Sequence, residues 1–222
     1  CKSPVQVVWA VSSDGKLLGC TFSPEQDQVA WHRHSTVNGK FESVCAISEG
    51  TEDHLYVVVN NDSETMYFTI GGHPAFRVPV REGESQSDYR LAFEGLDTLT
   101  YLLIDTSVGT VLADEPHTLS LENGTCSIAP HMFDKDALVF DNGQIQKAGI
   151  LFPDGTPYLT VTSEGFPNFG IWSVPGAPFV CLEPWMGRCD DCGFEKPLSE
   201  KANINVLKPD EEFIKSYQIT VH

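Results

Sequence analysis

Two short stretches carry residue types suited to moving protons. In TIGGHPAF, residues 69–76, an apolar run gives way to two glycines, a histidine and a proline. Glycines at a strand end permit unusual backbone angles and close approach of a ligand. Pro74 fixes the outgoing direction and restricts His73 to extended conformations, so the imidazole has a defined aim. In PFVCLEPW, residues 178–185, strand alternation puts Phe179, Cys181 and Glu183 on one face and Val180 and Leu182 on the other. A carboxylate that follows Phe and Cys on one face is poorly hydrated, which raises its pKa toward the range useful for a general base. Pro184 is expected to end the strand, and Trp185 then offers an aromatic surface of the kind that stacks on sugar rings. Each has a plainer alternative: a turn histidine bonded to backbone, and a rim glutamate paired with Arg188.

Other candidates are weaker. Asp134 and Asp136 in HMFDKDALVF precede a short apolar strand, where acids commonly form turns but can also bind ligand hydroxyls. Cys189-Asp-Asp-Cys192 is a lone CxxC with no second pair for zinc and no βαβ context for redox work. Its adjacent acids also disfavour a thiolate. His32 and His34 in WHRH share a strand face and read as exposed hairpin residues rather than metal ligands. No GxSxG, P-loop, GxGxxG or HExxH is present.

The elements that must position these residues are strands. VQVVWAV, KLLGCTF, QVAWHRH, SVCAI and HLYVVV are short, rich in β-branched and aromatic residues, and divided by turn-forming clusters such as SSDG. TMYFTI, YRLAFE, LTYLLI, ALVF, YLTVTS, FGIWSV, FVCLEP, NINVL and SYQITV follow. No dozen-residue window shows a 3.6-residue apolar stripe. The predicted fold class is all-β, an antiparallel β-sandwich rather than a closed barrel. A seam falls near residues 60–62. Residues 1–60 read as an antiparallel meander with 4 basic and 7 acidic residues; residues 61–222 are less regular, with 10 basic and 24 acidic. With no flexible linker between them, the two parts are expected to pack as one body.

Bulk composition narrows the partners. The 222 residues carry 14 basic and 31 acidic side chains, a net charge of −17. So negative a surface repels nucleic acid and anionic lipid and suits a neutral small ligand. No run reaches the ~18 apolar residues that span a bilayer. Seven dispersed cysteines suggest free thiols in a reducing compartment, hence a cytoplasmic protein.

From residue 61 onward the chain resembles the aldose 1-epimerase family, galactose mutarotase-like proteins, especially the LacX-type branch. The stretches that carry it are NDSETMYFTIGGHPAF, YRLAFE, MFDKDALVF, FPNFGIWSVPGAPFVCLEPWMG and LKPDEEFIKSYQITV, in family order. The resemblance implies a β-supersandwich with a sugar cleft across one curved sheet. It implies His73 as general acid and Glu183 as general base, set across the sugar ring and several ångströms apart. Asp136 would hold sugar hydroxyls, with Trp172 and Trp185 near the cleft. Anomers of a free aldohexose would interconvert by ring opening, without metal or cofactor. Residues 1–60 depart from the family: its longer N-terminal half supplies an arginine and a further histidine to the sugar, whereas VWAVSSDGKLLGCTFSPEQDQVAWHRH resembles a phage tail-type structural segment. The N-terminal part of the sandwich is thus expected to be truncated or altered. The competing expectation is a non-catalytic carbohydrate-binding sandwich or a virion-type structural protein.

Overall fold

The computed structural model describes residues 6–23, 28–34, 39–49, 52–60, 65–209 and 211–222. The expected turns at 24–27, 35–38, 50–51 and 61–64 lie outside the described residues. The chain divides into two compact units, Cys1–Met66 with Leu207–Glu212, and Tyr67–Val206 with Phe213–His222. The division falls a few residues after the expected seam.

In the first unit β1 (Gln6–Val11), β2 (Leu17–Ser23) and β3 (Gln28–His34) form an antiparallel meander, and β4 (Lys40–Glu49) pairs with β5 (Glu52–Asn60). The SSDG turn closes as read: Gly15 takes φ +78°, and the Lys16 amide donates to the Ser12 hydroxyl at 2.9 Å. The β4–β5 hairpin is longer than expected, because SEGTED contributes strand ends instead of a wide loop.

The second unit holds the candidate site. After β6 (Met66–Phe68), the strands are β7 (Ile70–Gly71), β8 (Ala75–Arg77), β9 (Arg90–Phe93), β10 (Thr98–Tyr101), β11 (Ile104–Asp105) and β12 (Thr110–Val111). Next come β13 (His117–Ser120), β14 (Thr125–Ser127), β15 (Leu138–Phe140), β16 (Lys147–Leu151) and β17 (Pro157–Thr162). The last are β18 (Asn168–Trp172), β19 (Phe179–Met186), β20 (Asn205–Leu207) and β21 (Gln218–Val221). Two five-stranded antiparallel sheets dominate, ordered β14-β9-β16-β17-β21 and β15-β18-β19-β7, with β8 also paired to β19.

Their facing sides meet as a sandwich. Leu91, Phe93, Ala148, Ile150, Leu159 and Val161 of one sheet close on Leu138, Phe140, Phe169, Ile171, Val180 and Leu182 of the other. The all-β sandwich class is confirmed. The β15-β18-β19 sheet is also covered on its second face, where Ala137 and Val139 cluster with Leu102 and Val111 and with the flanks of Trp172 and Trp185. Burial on both faces explains why ALVF and FGIW read as continuous apolar runs instead of alternating ones.

Candidate active site

Pro184 does not end its strand. β19 runs on to Met186, with Pro184 opposite Phe169 and Trp185 opposite Asn168. The neighbour on the other side explains the tolerance. β7 pairs with residues 185–186 and β8 with residues 179–181 in one unbroken register, which sets Gly72, His73 and Pro74 opposite Pro184, Glu183 and Leu182. The Gly72 amide donates to the Pro184 carbonyl at 3.0 Å, and the Leu182 amide to the Pro74 carbonyl at 3.3 Å. Pro184 therefore costs this edge a single ladder bond, the one its missing N–H would have donated to the Gly72 carbonyl. The same register sets His73 directly opposite Glu183, in a non-hydrogen-bonded pair whose side chains share one face.

Neither Gly71 nor Gly72 takes a positive φ, so unusual backbone angles are not their role. Close approach is. A Cβ on Gly71 would collide with the Trp185 ring, and one on Gly72 would come within 2.6 Å of the Tyr217 hydroxyl. Gly170, directly across β18 from Glu183, would likewise strike Trp185 with any side chain. The indole thus lies against the backbone of two glycines and donates a side-chain hydrogen bond to Glu183. Sequence reading offered Trp185 as an open stacking surface; its ring instead braces the carboxylate.

The expected faces of β19 hold. Val180 and Leu182 enter the main core, and Glu183 projects from the opposite side with Cys181. His73 Nε2 lies 3.4 Å from Glu183 Oε1, the imidazole side chain 61% exposed and the carboxylate 4%. They line one face, as expected, but in contact and not a sugar's width apart. The shared register seats the imidazole directly against β19. Arg188, the alternative partner of Glu183, is instead engaged by Asp141 and Asp191, each at 2.8 Å.

Burial pushes the Glu183 carboxyl up to about 7. The His73 charge and the Trp185 hydrogen bond pull the other way, and the nearby Asp136 charge adds to the rise. Asp136 is thus near enough for its charge to act on Glu183, whereas Asp134 bonds to His131 at 2.9 Å. Asp136 sits at φ +71°, unusual for a non-glycine residue, and its Oδ1 accepts the Ala137 amide at 2.6 Å. Trp172 stands edge-on to the His73 ring at 5.8 Å. His73, Glu183, Trp172 and Trp185 thus lie together, with the Asp136 charge close by.

The remaining candidates lie elsewhere. Burial raises the Cys189 thiol's pKa, and the CxxC backbone is tied to β12 through Val111 on both sides of Asp191. His34 packs at 5.5 Å on Trp9, while the His32 side chain lies outside the described residues. Among the described cysteines there is no disulfide, and Cys1 lies outside them. No helix is long and apolar enough to cross a membrane. A hollow of about 610 Å³ lies on the outer face of the β9-β16-β17 sheet, lined by Glu94, Lys147 and His222 among others, and includes none of the site residues. Sequence reading missed the bracing by Gly170 and the donor set completed by Cys181; the alternation that put Cys181 on the Glu183 face was its only signal.

Comparison with known proteins follows the same lines. No protein-family model matches the chain. It is 30% identical over 169 residues to the plasmid and chromosomal LacX proteins of Lactococcus lactis subsp. lactis, a match covering 75% of this chain and 56% of each relative. The chain thus spans little more than half the length of those curated relatives. In fold it is similar to a galactose mutarotase related enzyme from Lactobacillus acidophilus, with TM-score 0.66, 21% identity, and 98% of this chain and 71% of that one covered. A galactose mutarotase-like protein from Lactobacillus casei gives TM-score 0.57 and 20% identity, covering 96% and 70%.

Proposed function

Because the LacX relatives and the galactose mutarotase-like fold support the aldose 1-epimerase-like family for this chain, we propose that it interconverts the α and β anomers of a free aldohexose. The observation that carries the reading is the His73–Glu183 contact at 3.4 Å, with a carboxyl whose burial brings it near neutrality. A base half-protonated near neutral pH combines availability with driving force.

Glu183 takes the proton from the anomeric hydroxyl while His73 protonates the ring oxygen. The C1–O5 bond opens, the aldehyde rotates about C1–C2, and the ring closes on the other face with both protons returned. Both sugar oxygens are bonded to C1, so an acid and a base in mutual contact reach them from one edge of the ring. Asp136 accepts sugar hydroxyls, and Trp172 gives an apolar wall. The chain's −17 charge favours a neutral sugar over its phosphate.

The test is the polarimetric decay of freshly dissolved α-D-glucose or α-D-galactose. Wild type should exceed buffer, and His73→Ala and Glu183→Ala should each lose ~10²–10⁴ in rate. The 56% span of LacX favours one second reading, a sugar-binding sandwich without turnover. Saturable sugar binding at the buffer rate of mutarotation would establish it instead.

A further inference from the structure

Beside the acid/base pair lies a donor that proton transfer does not use. Cys181 precedes Glu183 by two residues on β19, so the two side chains leave the same face. It lies across from Trp172 of β18 and Ala75 of β8 and is fully buried. A ring nitrogen of His73, the Cys181 sulfur and a Glu183 carboxylate oxygen all lie within 4.8 Å of one another.

That spacing approaches a coordination sphere. Zinc bonds of ~2.0–2.1 Å to nitrogen, ~2.0–2.2 Å to oxygen and ~2.3 Å to sulfur, tetrahedrally arranged, put donor atoms roughly 3.3–3.7 Å apart. The His73–Glu183 edge, at 3.4 Å, already has that length. The edges to sulfur need to close by roughly 1 Å at most, within reach of a half-exposed imidazole. We propose that His73, Cys181 and Glu183 form a three-donor site for a zinc-class divalent cation, which shuts the acid/base pair while it is bound.

The donor types select the ion. Imidazole, thiolate and carboxylate suit zinc or cobalt, whereas magnesium and calcium favour all-oxygen shells. The Cys181 thiol releases its proton to solvent on binding. Thiolate and carboxylate then balance the dication, so the loaded site carries no net charge into a buried position. Three protein donors leave the fourth position to water, on the side where His73 meets solvent. Metal on the imidazole nitrogen and the carboxylate oxygen leaves neither free to carry a proton. This inhibitory half rests on the mutarotase reading; the binding half does not.

Cobalt(II) titration of the whole chain separates the two. Wild type should take up one equivalent and show thiolate-to-cobalt charge-transfer absorption in the near ultraviolet. His73→Ala, at a largely exposed position, and Cys181→Ser should each weaken cobalt binding by more than the about 10–100-fold that loss of an outer-shell partner costs. Cys189→Ser, in the CxxC, should leave the absorption intact. No charge-transfer band in wild type, or a band that survives both His73→Ala and Cys181→Ser, overturns the site. Zinc should then slow wild-type mutarotation, and Cys181→Ser should lose that sensitivity relative to its own metal-free rate. Turnover undiminished by bound zinc overturns the inhibitory half. A wild type without turnover defeats the proposed function instead and leaves the absorption to decide the site.

Discussion

Glu183 owes its character to opposed neighbours, and each can be removed separately. Burial raises its pKa to about 7, against the pull of His73 and Trp185. In its proposed role as base it must be ionised, so kcat/KM should rise with pH through an apparent midpoint near 7, a value that belongs to the coupled pair. Trp185→Phe deletes a hydrogen bond to the ionised form, so that rising limb should move to higher pH; an unmoved limb means the indole does not hold the carboxylate. The same group bears on stability. A carboxyl whose folded pKa exceeds its unfolded value of 4.5 binds protons more tightly in the folded state. Its contribution is therefore most favourable below pH 4.5 and is lost as pH rises toward 7. Thermal unfolding of wild type against Glu183→Gln across that window should show a falling difference in wild type's favour, with the neutral variant the more stable at pH 8.

At the scale of elements, the site depends on a slot cut into β18 and β7. Gly170→Ala places a methyl group where the Trp185 ring lies. Overpacking of this kind costs about 1–3 kcal/mol, and the displaced indole should lower kcat with a folded spectrum retained. Alternation along FVCLE revealed which face Glu183 would take, and the order glycine-glycine-histidine-proline revealed that His73 would be aimed. The strand's continuation through Pro184 was hidden, because it depends on pairing with a segment more than a hundred positions earlier. Trp185 was misjudged for a related reason: its seat is made by Gly71 and Gly170, remote in the chain, and glycine at a distance leaves no pattern. β16 escaped notice because Lys147, Ala148 and Gly149 dilute the β-branched signal of KAGIL.

On the scale of the whole second unit, the strands that carry the site are enclosed. The β15-β18-β19 sheet has the main core on one face and a smaller apolar cluster on the other. Active sites are commonly assembled on loops, which open before the rest of a protein does. Here Glu183 and Cys181 belong to a strand that is paired along both edges and buried over most of its length, so its amides open only with the fold. Deuterium should consequently enter the β18 and β19 amides last within this unit, and rapid labelling there would contradict the enclosure. If the proposed turnover is real, a slow ramp of temperature should show it persisting until the fold itself gives way, so that activity fails abruptly, with no warm, intact but idle interval.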